Sequence, residues 1–136
     1  MMLTASAATN YPATKSYPRL RIVDASAPVK KPQPLRIKLE IVAQGETPVA
    51  LSQKQFTVSF SPYPYVNVTP TFETNAAPVF TVTPEKPVTL TFTVPTDRLK
   101  TGNQRFDVRI NSGRRRQFDY QWLGQTYSDN YEIDVK

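Results

Sequence analysis

The chain has 136 residues, with 17 Lys and Arg against 11 Asp and Glu, for a formal charge of +6. It contains no Cys and no His, which excludes disulfides, zinc–thiolate sites, Cys nucleophiles and any mechanism that uses imidazole as base or ligand. No run of about 18 apolar residues is present, so no membrane-crossing helix is expected, and the length fits one domain.

Residues 1–18 are rich in Ala, Thr, Ser and Pro and show no apolar period. They read as a flexible N-terminal arm, with the β domain expected over residues 19–136. Residues 1–10 carry neither the basic start nor the apolar run of a secretory leader, and localisation stays open.

From there the pattern has period two. Leu20 and Ile22 alternate with Arg19 and Arg21. Leu35, Ile37, Leu39 and Ile41 alternate with Arg36, Lys38 and Glu40. Phe56, Val58 and Phe60 come next, then Val88, Leu90, Phe92 and Val94 separated by threonines. Phe106, Val108 and Ile110 alternate with Arg105, Asp107 and Arg109, and Tyr131, Ile133 and Val135 with Glu132 and Asp134. Each segment predicts a strand with one dry and one wet face. Weaker strands are expected at 66–72, where Pro70 points to an edge or an extended loop, and at 78–83. No helical stripe of useful length appears. Short strands with one apolar face each must stack face to face, so the predicted fold is all-β: an immunoglobulin-like antiparallel β-sandwich of about seven to nine strands.

The run from Pro78 to Pro95, followed by Leu99, Gly102, Phe106, Asp107 and Val108, resembles immunoglobulin-like accessory domains of bacterial proteins. There a tight Pro-Gly-Lys/Glu turn leads into a Thr-rich strand, and a Leu-x-x-Gly step opens the next one. Lys86 stands where glycine is usual. The resemblance covers roughly residues 78–110 and implies a fold shared by modules with unrelated roles.

One hairpin is registered by parity, since directly opposed residues share a face. A loop over residues 112–116 pairs Ile110 with Phe118, Val108 with Tyr120 and Phe106 with Trp122, which keeps every pair apolar or aromatic. It also gathers Arg114, Arg115 and Arg116 at one tip. Guanidinium forks suit phosphate, sulfate and carboxylate, so the tip is either an anion-recognising loop or a solvated turn paired with Asp119 or Asp129. The stretch containing Tyr63 and Tyr65 between prolines is a stiff aromatic loop, suited to recognition or to capping one end of the sandwich. Tyr127 lies beyond the reach of the register argument and joins the candidate contacts.

The acids are too scattered for a calcium cage, and no nucleophile, P-loop or dinucleotide motif is present. No catalytic residue, metal or cofactor is therefore expected. Asn67-Val68-Thr69 fits the N-glycosylation triplet, a short match that carries meaning only with export in a eukaryote. The expected function is a non-catalytic binding module that meets a protein, one with an acidic face being the natural match, through loops at the sandwich ends. Two alternatives stand beside it. One is polyanion binding, of nucleic acid or acidic polysaccharide, through Arg114–Arg116. The other is a structural subunit of a larger assembly or homo-oligomer that pairs through an edge strand or the arm.

Overall fold

Alternating side chains build strands wherever one face can be dried against a partner layer. In the computed structural model, which describes residues 16–26, 28–62, 65–73, 76–111 and 125–136, every period-two segment is a strand. In chain order the strands are β1 (Tyr17–Ala25), β2 (Leu35–Gln44), β3 (Val49–Ser52), β4 (Phe56–Ser61), β5 (Val66–Val68) and β6 (Thr71–Phe72). They continue with β7 (Val79–Val82), β8 (Val88–Val94), β9 (Gly102–Asn111), β10 (Gln125–Tyr127) and β11 (Tyr131–Val135). The one helical element among the described residues is a 3-10 turn, Gln53–Gln55. No helix there is long and apolar enough to cross a membrane.

The pairs are antiparallel. A four-stranded sheet runs β1-β2-β8-β6, and a two-stranded sheet joins β3 to β7. A five-stranded sheet runs β10-β9-β4-β5, with β11 also paired to β9. Thus β9 meets β4 along one edge, and its other edge is shared: Arg109–Asn111 face β10, and Gly102–Phe106 face β11. Residues 66–72, expected as an edge strand or an extended loop, are two short strands either side of Pro70. β5 belongs to the five-stranded sheet and β6 to the four-stranded one, and the chain changes sheet between them.

The apolar alternates form the core. Leu35, Ile37, Leu39 and Ile41 are fully buried, while Arg36 and Lys38 between them are exposed. Phe56 of the five-stranded sheet meets Phe72 of the four-stranded sheet edge-on, with ring centroids 5.2 Å apart, and Phe72 meets Phe92 at 5.1 Å. Phe60, Phe106 and Tyr131 continue the aromatic layer, each neighbour 5.5 Å from the next. Offset and edge contacts of this kind add about 0.5–1.5 kcal/mol each beyond area burial.

Among the described residues, a few contacts cross the sides of the sheets. The Thr126 hydroxyl donates to the Pro18 carbonyl at 3.0 Å, tying β10 to β1. Below it, the Val29 amide donates to Asp134 O at 2.9 Å and the Lys136 amide to Val29 O at 2.7 Å, a short parallel bridge on the outer edge of β11. On the opposite side Arg98 donates to the Asn67 carbonyl at 3.2 Å, occupying an edge group of β5. β1 carries a bulge between Ile22 and Asp24, a common device for turning an edge strand away from further pairing.

The first strand begins at Tyr17, two residues before the expected boundary. Ser16 is buried beside it, and its hydroxyl oxygen accepts hydrogen bonds from the Thr47 amide at 2.8 Å and the Thr47 hydroxyl at 3.1 Å.

The expected hairpin register is not the one adopted. Ile110 pairs with Thr126 rather than Phe118, and Phe106 with Tyr131 rather than Trp122. Val108 exchanges hydrogen bonds with Ser128 rather than opposing Tyr120. A period-two pattern is unchanged by an even shift, so parity cannot tell Phe118 from Thr126, eight residues on; Tyr131 stands nine beyond Trp122, and the odd residue is taken up by the break at 128–130 between β10 and β11. Phe118, Tyr120 and Trp122 themselves lie outside the described residues.

Candidate functional site

Since apolar alternates point inward, the outward positions of the five-stranded sheet form one polar face. β9 contributes Asn103, Arg105, Asp107, Arg109 and Asn111 to it, and β4 contributes Thr57, Ser59 and Ser61. Asn67 comes from β5, opposite Ser59, and Tyr127 from β10, opposite Arg109. Glu132 of β11 stands opposite Arg105, and Asp134 opposite Asn103.

At the centre, Arg109 Nε donates to Asp107 Oδ1 at 2.8 Å. The guanidinium carbon lies 4.8 Å from the centre of the Tyr127 ring. The hydrogen bond to Asp107 raises the Arg109 pKa above its ordinary value, partial burial opposes this, and the Asp107 charge and Tyr127 add to the rise. Arginine is protonated at any pH where proteins are studied. The pair therefore fixes the position of the charge, and the charge itself does not vary. An aromatic face and a carboxylate together hold one guanidinium in a single orientation.

Beside this pair the surface dips into an open depression of ≈ 340 Å³ lined by Ser59, Ser61, Tyr65, Asn67, Asp107 and Arg109. A second depression of ≈ 270 Å³ continues along β9, lined by Pro62, Asn103, Arg105 and Glu132. A third is lined by Asn103, Glu132, Asp134 and their neighbours at the lower end of the strand. Tyr65, 66% exposed, lines the upper depression, and Tyr127, 52% exposed, lies against the Arg109 guanidinium beside it.

The structure therefore brings Tyr65 and Tyr127 to the same face, one in the lining and the other under Arg109. Arg114, Arg115, Arg116 and Tyr63 lie outside the described residues. The segment carrying the three arginines leaves β9 after Asn111 and rejoins at Gln125, which are paired with each other. Ser59, Ser61, Asn67, Asp107 and Arg109 were missed by sequence reasoning. Their signal is present in the outward alternates of β4 and β9. What was lacking is the knowledge that these two strands are neighbours.

The outer face of the four-stranded sheet differs in character. There Arg21 meets Glu40 at 3.1 Å and Arg36 meets Glu73 at 2.9 Å, between rows of threonine. These are exposed surface pairs of small energetic weight.

No family model matches the chain, and no curated protein matches it. Among solved structures, a protein described as a lipoprotein from Bacillus subtilis is similar at 12% identity and a TM-score of 0.45. That match covers 88% of this chain, which spans only 38% of the lipoprotein's length. AvmM, which catalyses macrocyclization in alchivemycin A biosynthesis, is similar at 6% identity and a TM-score of 0.38. It covers 90% of this chain and 89% of its own.

Proposed function

We propose that the chain is a non-catalytic binding module on an immunoglobulin-like sandwich, and that it recognises a macromolecular partner through the outer face of the five-stranded sheet. The strand order supports the fold part of this reading. β1-β2-β8-β6 follows the A-B-E-D order of an immunoglobulin sheet, and the set from β10 and β11 through β9, β4 and β5 follows G-F-C-C′. β3 and β7 are then an added ribbon. The absence of His and Cys from the sequence supports the non-catalytic part.

One observation carries the choice of surface. Asp107, Arg109 and Tyr127 hold one another on a face that also dips beside Tyr65, whereas the sheet sides are bonded over at Pro18, Val29 and Asn67. Open edges favour strand addition to a neighbour, so the contacts at these three positions weigh, locally, toward recognition by the face rather than toward the structural-subunit reading.

A second reading, polyanion binding through Arg114, Arg115 and Arg116, has one favouring observation. Their segment is tethered at Asn111 and Gln125, two positions beyond Arg109 and Tyr127. It predicts affinity that falls steeply with salt.

The test is capture of partners from an extract of the source cells by three forms of the protein, each checked for folding. They are the wild type, a Tyr65→Ala, Arg109→Ala double variant, and an Arg114→Glu, Arg115→Glu, Arg116→Glu variant. The proposal expects the double variant to lose the wild-type partner. Loss only in the triple variant favours the polyanion reading instead.

A further inference from the structure

We infer that the depression beside Asp107 and Arg109 is a binding site for a neutral oligosaccharide chain that lies along β9. The inference rests on the outer face being the recognition surface and names the class of ligand that face takes.

The first ground is charge balance. Along this face Arg105, Arg109 and Lys136 are matched by Asp107, Glu132 and Asp134, and Lys136 bonds Asp134 at 3.4 Å. Among the described residues this face is therefore electrically balanced, although the whole chain carries +6. A polyanion lying on these strands would meet as many carboxylates as cations.

The second ground is the kind of contact offered. The outward positions of β4, β5, β9, β10 and β11 carry no Leu, Ile, Val, Met or Phe. A protein interface is built around a dry apolar centre, and the described residues of this face supply none. The face has the Ser61 hydroxyl, the Asn67 amide, the Asp107 carboxylate and the Arg109 fork, with Ser59 buried among them and the exposed Tyr65 ring in the lining. The bond between Arg109 Nε and Asp107 Oδ1 uses one N–H and one oxygen; the guanidinium has further N–H donors, and the carboxylate has a second acceptor oxygen. A sugar ring is the complementary object. Each hydroxyl both donates and accepts, as these side chains require, and its C–H surface can lie against a tyrosine ring.

The third ground is shape. Arg109, Asp107, Arg105 and Asn103 succeed one another on the same side of β9, and the depressions follow them. The six steps from Asn103 to Arg109 span roughly 20 Å, the length of a short oligosaccharide rather than of a single ring. The main-chain groups beneath are already paired on both edges of β9, so an extended peptide would find no backbone partners.

The experiment is a two-dimensional amide NMR titration of the full chain with four neutral probes: cellohexaose, mannohexaose, xylohexaose and N-acetylchitohexaose. Heparin serves as the anionic comparison. The expected result is saturable shifts with at least one neutral probe, confined to amides near residues 59–67, 105–109 and 127. Binding should change less than about twofold across added salt, because no counterion is released. Tyr65→Ala and Asp107→Asn should each weaken it at least tenfold. Tyr65 lies outside every strand and is 66% exposed, and the unshifted remainder of the spectrum checks the fold of both variants. The inference is overturned if none of the four probes gives saturable shifts, if the shifts fall elsewhere, or if heparin alone binds this face. Should the neutral probes all fail while the Tyr65→Ala, Arg109→Ala variant still loses its captured partner, the face remains the recognition surface and the glycan assignment falls alone.

Discussion

Arg109 and Tyr127 stand opposite each other across the β9–β10 pair, with the guanidinium carbon 4.8 Å from the ring centre and its Nε bonded to Asp107 on the other side. The two residues lie eighteen positions apart in the chain, and the one strand pair that joins them organises the face. Half-exposed contacts of this type are weak in energy and strong in orientation. A double-mutant cycle of Arg109→Ala and Tyr127→Ala, followed by urea unfolding, is expected to give a coupling of about 0.5–1 kcal/mol. Zero coupling would mean that the stacking does not persist in solution.

Gly45 and Gly102 both adopt positive φ, 134° and 108° respectively, a conformation L side chains rarely take. Their surroundings differ. A Cβ on Gly45 would overlap the Ser16 hydroxyl and stand 2.8 Å from Ser16 Cα, whereas at Gly102 nothing lies within 4 Å. Gly102→Ala is expected to cost about 1 kcal/mol from the backbone alone. Gly45→Ala should cost more, about 2–3 kcal/mol, because it must also displace the buried Ser16 and its bonds to Thr47. Urea midpoints of the two variants check the order, and equal values would contradict it.

Ser128 fills the break between β10 and β11. Its amide donates to Val108 O at 2.9 Å, and its hydroxyl oxygen accepts from the Val108 amide at 2.8 Å. Ser128→Ala strands a buried amide, at an expected cost of about 1–3 kcal/mol. Hydrogen exchange gives the specific signature: the Val108 amide should lose protection more than its neighbours Phe106 and Ile110, which pair with Tyr131 and Thr126.

Phe92 and Val79 test the assignment of inside and outside. Phe92 is fully buried against Phe72, and Val79 is 65% exposed. Phe92→Ala should cost about 3–5 kcal/mol. Val79→Ala should stay within about 0.5 kcal/mol. Calorimetric or urea unfolding of both variants provides the comparison.

The strands were legible where alternation was long. β2 carries four apolar alternates and β8 another four, and their buried faces follow directly from the sequence. β3 and β10 escaped because Val49–Ser52 and Gln125–Tyr127 are too short to display a period. Partnership between strands was not legible at all. Arg109 looks like any other outward alternate until β10 sets Tyr127 beside it, and Ser59 looks like any small polar residue until β4 pairs with β9. Tyr65 was nominated by its prolines and Tyr127 by its neighbourhood. Their shared face depends on long-range pairing, which a local pattern does not encode.

The most direct test of the outer face as the recognition surface is hydrogen–deuterium exchange of the protein, free and in complex with its captured partner. The account predicts protection over residues 57–61, 65–67 and 105–109, with residues 36–40 and 89–93 on the opposite sheet unchanged. Protection on that opposite sheet, with β4 and β9 unaffected, would contradict it.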